Sequence, residues 1–316
     1  MKKHWIVDAH CDSIGDYCSG KRDLKTDTDS GHWDLNKAKR GGIGLQFMAA
    51  YIESEYKPHL ATWRGLQLLD SGHHFIEENK DTVFLVKNRS DIDKLGNQSL
   101  GIILSVEGGE ILGESLFMLD IIYRLGVRSL GLTWNERNAI GDGVGETSSK
   151  SGLSDFGKKV IARMNLMGML IDVSHLNEPG FWDVLKISDK PIVASHSCAK
   201  ALCSHPRNLS DDQLRALADN KGVVGINFCP DFLNSNVQAS IDDVAKHICH
   251  IVEVAGVDTI GFGSDFDGIP STPKGLENAE MFTQLLDKLR DYGFNQTEIS
   301  KICHGNFLRV LSNVLE

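Results

Sequence analysis

The chain has 316 residues, 41% of them hydrophobic and 24% charged, which describes a globular protein long enough for one large core or two modest ones. A formal net charge of −10 and a sequence pI near 5.6 exclude a phosphate-driven nucleic-acid binder, because such binding needs clustered Lys and Arg. Nowhere do about 18 apolar residues run without a charge, so no membrane span is expected. The chain opens Met1-Lys2-Lys3-His4-Trp5-Ile6-Val7 and meets Asp8 before an apolar region of signal-peptide length can form, so the start reads as cytoplasmic.

Short runs rich in Val, Ile and Leu then alternate with longer segments of helical periodicity. The runs are predicted strands at 5–9, 43–49, 102–106, 128–133, 169–173, 191–194, 223–228 and 259–263, and they read as buried parallel strands. Helices are predicted between them at 60–78, 115–125, 155–166, 178–186, 211–218 and 241–255. The helix from 211 carries a start signal, since Ser210 followed three residues later by Gln213 has the capping-box form. A strand-like piece at 82–86 has no place in the alternation, and a Gly- and Ser-rich stretch at 141–152 reads as a long loop over one face. After the last strand come helices at 281–292, 297–303 and 306–314. About eight strands alternating with helices, with no linker or repeat, predict one α/β domain over 1–316 of the (β/α)8 TIM-like barrel type. The cysteines Cys11, Cys18, Cys198, Cys203, Cys229, Cys249 and Cys303 are scattered and odd in number, without a Cys-x-x-Cys pair, which argues against a disulfide framework or a thiolate zinc knuckle.

In such a barrel, ligands and catalytic groups sit just past the C-terminal ends of the strands. The first strand runs into Asp8-Ala9-His10-Cys11-Asp12, the third into Glu107-Gly108-Gly109, the fifth into Ser174-His175, the sixth into Ser195-His196 and the last into Ser264-Asp265. Each residue has a plain reading by itself. Asp12 and Asp265 suit turns or caps, Glu107 suits a strand end at the water edge, and His175 and His196 suit satisfied core histidines. His10 and Asp12, two apart, share a face of an extended segment and could grip one cation, while Cys11 faces away. Three histidines and three carboxylates at the same end of five strands are hard to obtain from packing alone, and this mixture suits zinc or a similar divalent ion. The other histidines, including His4, His32, His59, His73, His74, His247, His250 and His304, lie in helices or loops and read as surface or structural.

The same blocks, together with His205-Pro206-Arg207-Asn208, Gly263-Ser264-Asp265-Phe266-Asp267-Gly268 and Gly305-Asn306-Phe307, resemble the renal or membrane dipeptidase family of zinc peptidases over most of the chain. The resemblance implies a dipeptidase with two zinc ions per subunit, or other divalent metals, acting through a metal-bridging hydroxide. It implies one ion on His10, Asp12 and Glu107 and a second on Glu107, His175 and His196, with Glu107 shared. It also puts the acid/base on Asp265 and the arginine that holds the substrate carboxylate on Arg207. Small dipeptides are the implied substrates, with tolerance of a D-residue at the C-terminal position, and a homodimer is compatible. One departure is visible: where the mammalian branch has a histidine after Leu-Thr, Leu132-Thr133 is followed here by Trp134. Trp134 cannot ionise, so it is expected to wall the pocket, with Asn135 as a polar substitute. Two other classes remain open at this point: another amidohydrolase-type barrel hydrolase, which usually carries His-x-His where this chain has His10-x-Asp12, and a catalytically silent metal-binding protein.

Overall fold

Nine segments of this sequence, eight of them buried on both faces, pair as parallel strands in the computed structural model, which describes residues 5–96, 99–235 and 238–316. They are β1 (Ile6–Cys11), β2 (Ile43–Tyr51), β3 (Val83–Leu85), β4 (Leu100–Glu107), β5 (Val127–Gly131), β6 (Leu170–Asp172), β7 (Val193–Ser197), β8 (Val223–Ile226) and β9 (Ile260–Phe262). The order runs β2-β1-β9-β8-β7-β6-β5-β4-β3, and pairing of β2 with β4 from Leu45↔Gly101 to Tyr51↔Glu107 closes eight of them into a parallel barrel. The exception is β3, the strand-like piece without a place in the alternation. It pairs with β4 outside the ring, Val83↔Leu100 to Leu85↔Ile102.

Helices cover the barrel, as parallel crossovers require. Ser210 caps Asp211–Asp219 with the reciprocal hydrogen bonds of a capping box, Ser210 Oγ accepting from the Gln213 amide and Gln213 Oε1 from the Ser210 amide. No described helix is long and apolar enough to cross a membrane.

The two ends of the barrel differ in chemistry. Val7, Leu45, Ile103, Leu170, Val193 and Val223, from the first halves of their strands, form one apolar cluster with Phe307, Val310, Leu311 and Val314 of the last helix, Asn306–Val314. The opposite ends of the strands carry the polar residues. Strand boundaries there depart from expectation by a few residues: β1 extends through His10, β4 includes Glu107, and β7 begins at Val193 and includes His196. Ladder pairing of Cys11 with Met48, of Glu107 with Tyr51 and Gly131, and of Ser197 with Ile226 extends these strands past the point where the apolar run stops. Side chains on strands are held more firmly than side chains on loops, so the change favours the site.

Candidate metal centre

Six polar side chains, buried or nearly so, converge at the C-terminal ends of β1, β4, β6, β7 and β9. His10 Nε2 lies 3.3 Å from both Asp12 Oδ2 and Glu107 Oε2, and 4.0 Å from Asp265 Oδ1. Glu107 Oε1 lies 2.7 Å from His175 Nε2 and 3.6 Å from His196 Nε2. Glu107 therefore turns one oxygen toward His10 and Asp12 and the other toward His175 and His196. The turn after it depends on Gly108, whose φ of 101° suits glycine alone and whose added Cβ would meet Glu110 Oε2. The donor atoms of His10, Asp12 and Glu107 all lie within 4.8 Å of one another, as do those of Glu107, His175 and His196, and of His10, His196 and Asp265.

The tautomers of two imidazoles follow from their neighbours. Ser195 has a single hydroxyl proton and donates it to Asp172, so the 2.8 Å contact between Ser195 Oγ and His196 Nδ1 puts the imidazole proton on Nδ1. Asp172 is itself fixed by Ser174, which donates from its amide at 3.0 Å and its hydroxyl at 2.7 Å, and by the Ser195 amide at 2.9 Å. His175 Nδ1 donates to Asn135 Oδ1 at 2.9 Å. Both Nε2 atoms are left with bare lone pairs, yet they face each other at 2.9 Å. Two acceptors so placed repel unless a cation takes the space in front of them. His10 Nε2 and Asp12 Oδ1 are also buried without a hydrogen-bond partner. A Cβ added to Gly268 would fall against Asp12 Oδ2 and Asp265 Oδ1, so glycine keeps a cradle open between those carboxylates. The residues present fit divalent cations held by mixed imidazole and carboxylate donors.

The electrostatics carry the same imprint. Burial pushes Asp12 up to about 8 and Asp265 up to about 6, with Glu107 nearby adding to both. Burial, reinforced by Arg207, lowers His175 to about 4, and burial also lowers His196, which favours the neutral form of both imidazoles, the form able to bind a metal. Burial pulls the pKa of His10 down, but Glu107 and Asp12 outweigh it and raise it, as a positive charge is favoured between carboxylates.

Arg207, on the loop after β7, is buried at 4% exposure, and burial lowers its pKa. Its guanidinium donates to the backbone carbonyls of Ser174 and His196 but forms no ion pair among the described residues, and its Nε has no partner. A buried cation held only by neutral partners, these carbonyls and the Ser197 hydroxyl at 3.4 Å, has capacity left for an anion. It lines a cavity of about 520 Å³ together with Asp12, Glu107, Trp134, His175, Phe232 and Asp265. Trp134 stands in the wall with its ring 5.4 Å from Tyr51 and 5.9 Å from His175, as expected. Asn135 reaches the cavity but spends its Oδ1 on His175, which makes it an orienting group for that imidazole.

Sequence reasoning gave no role to Asp172, Ser195, Asp8, Asn227 or Asp267. Asp8 accepts from the Ser264 amide and hydroxyl at 2.8 and 2.7 Å, tying β1 to the segment that carries Asp265. Asp267 accepts from Ser13 Oγ and the His32 amide, both at 2.6 Å, and pairs with Arg22. The signal for Asn227 was present: it is a polar residue at the end of an apolar run, the criterion that selected the other site residues, but the predicted strand ran past it.

With this geometry in view, comparison with known proteins gives a consistent picture. A family model described as membrane dipeptidase, peptidase family M19, matches residues 1–316. A solved metallopeptidase described as dipeptidase AC of that family is 27% identical, with 99% of each chain covered and a TM-score of 0.93. A Rhodobacter sphaeroides metallopeptidase, solved with a phosphinate mimic of L-Ala-D-Ala, is 26% identical over 98% of this chain and 99% of its own, also at a TM-score of 0.93. A probable dipeptidase from Pseudomonas aeruginosa, 22% identical over 99% of this chain and 96% of its own, has the same fold at a TM-score of 0.91. The chain belongs to the membrane dipeptidase family, peptidase family M19, and is a metal-dependent dipeptidase.

Proposed function

We propose that the chain is a binuclear zinc dipeptidase in which His10, Asp12 and Glu107 hold one ion, Glu107, His175 and His196 hold the other, and Glu107 is shared. The observation that carries this reading is the split of Glu107, one oxygen toward each donor group, beside buried nitrogen and oxygen atoms that have no partner. When bound, a pair of divalent cations supplies Lewis acidity toward a water nucleophile and a peptide carbonyl.

The chain's own residues do the rest. Arg207 offers two guanidinium nitrogens to the free carboxylate of the substrate and so fixes its C-terminal end. Asp265 accepts a proton at Oδ1 during attack and returns it to the departing amine, a role that needs hydrogen-bond reach first. Trp134 and Tyr51 exclude water from one side of the cavity with apolar faces, leaving charge stabilisation to the cations. The phosphinate mimic of L-Ala-D-Ala bound by the Rhodobacter sphaeroides relative supports acceptance of a D-residue at the C-terminal position.

The test is chelation followed by a dipeptide panel. The metal-free protein should release no amino acids, zinc should restore release at two ions per chain, and L-Ala-D-Ala should be among the substrates. A preparation with two ions per chain that turns over no dipeptide would overturn the proposal.

A further inference from the structure

We infer that Asn227 is a positioning residue for Asp265, an inference that rests on the proton-carrying role proposed for Asp265 above. Asn227 follows β8 directly and is fully buried. Its Oδ1 accepts from the Cys229 amide, which settles the orientation of the side-chain amide: the oxygen faces Cys229, so the nitrogen is the group 2.8 Å from Asp265 Oδ2.

The backbone of Asp265 is separately fixed. Its φ of 63° lies in the left-handed region, its amide donates to the His10 carbonyl at 3.1 Å, and its carbonyl accepts from Gly268 at 3.1 Å. What the backbone leaves free is the terminal carboxylate torsion, which is broad and roughly two-fold. Asn227 removes that freedom by claiming Oδ2, so Oδ1 is the oxygen left facing His10 at 4.0 Å. It also opposes a competitor. Arg207 is a buried cation that attracts Asp265, yet the two form no ion pair among the described residues. A carboxylate released by Asn227 turns part-way toward this charge, which takes Oδ1 from its working position while Arg207 keeps its place for the substrate carboxylate. The amide of Asn227 is neutral and donates only one hydrogen bond to Asp265, so it aims the carboxylate without replacing it.

The experiment is a double-mutant comparison of Asn227→Ala in the native chain and in Asp265→Asn, with zinc per chain, kcat, KM for L-Ala-D-Ala and the inhibition constant of a phosphinate dipeptide mimic as readouts. Asn227→Ala should lower kcat by about 10- to 100-fold, the range for a misplaced catalytic group, with KM, the inhibition constant and two zinc ions retained. In the Asp265→Asn background the same change should alter residual turnover by less than about two-fold, because its effect passes through the group already removed. Equal losses in both backgrounds, or loss of zinc, overturn the inference, as does full activity of Asn227→Ala beside an inactive Asp265→Asn. Wild-type turnover by Asp265→Asn instead defeats the proton-carrying role itself. If Asn227→Ala does not yield folded protein, Asn227→Ser, which keeps an oxygen for the Cys229 amide, carries the same comparison with the same outcomes.

Discussion

At the scale of single residues, the site places its demands on Asp265, Arg207 and the unpaired carboxylates. Asp265→Asn keeps the size of the side chain but cannot accept the proton, so turnover should fall by roughly 10²-fold or more while both metals stay bound. Metal loss measured in that variant would show that Asp265 is a ligand. Arg207→Met removes a contact made equally by ground state and transition state, so KM for dipeptides should rise with kcat little changed. An unchanged KM moves carboxylate recognition elsewhere. Asp12 at about 8 and Asp265 at about 6 also make a claim on pH dependence. Their folded values lie above the unfolded ones, so without cations the folded state binds protons that the unfolded state releases. That contribution is present at low pH and is lost as pH rises through about 6 and then about 8. Cations favour the same carboxylates in ionised form. The gap in Tm between zinc-loaded and chelated protein should therefore widen from pH 6 to pH 8, and a scanning-calorimetry series in which it narrows refutes this account of the cluster.

At the scale of elements, each proposed ligand stands on a strand or just past its end and is held by neighbouring elements. Asp172 at the end of β6 anchors Ser174 and Ser195, and Ser195 sets the proton on His196, so two adjacent strands fix one imidazole. Ser195→Ala leaves every ligand in place but removes that constraint. Zinc affinity should drop by about 10- to 100-fold, read by competition with a chelator. Affinity equal to that of the native chain would show that the orientation of His196 is set elsewhere. The alternation of apolar runs and helices was legible because each parallel strand of the barrel must be buried on both faces, and the six polar residues that converge were legible because polar groups just past such runs are costly without a purpose. The supports were not. The bond from Ser195 to Asp172 spans 23 positions and that from Ser264 to Asp8 spans 256, and neither leaves a local pattern in the sequence. The contact of Asn135 with His175 was hidden for the same reason, since only the folded loop brings the two together.

For the molecule as a whole, polar chemistry collects at one end of the barrel and apolar packing seals the other. Phe307, fully buried in the last helix, packs 6.0 Å from Phe47 of β2, and its ring occupies the space a side chain at Gly261 of β9 would need. Asp265 lies only four positions beyond Gly261, so the segment that begins with β9 runs from the apolar seal to the polar rim. If the barrel is rigid, the two ends are thermodynamically joined but functionally separate. Phe307→Ala should then cost about 3–5 kcal/mol of stability, as expected for deleting a large buried ring. The protein that remains folded should retain native kcat, KM and two zinc ions, because no ligand hydrogen bond passes through that cluster. Denaturant unfolding and kinetics on one preparation test both halves of the expectation. A fall in kcat proportional to the lost stability would show instead that packing around β9 sets the position of Asp265.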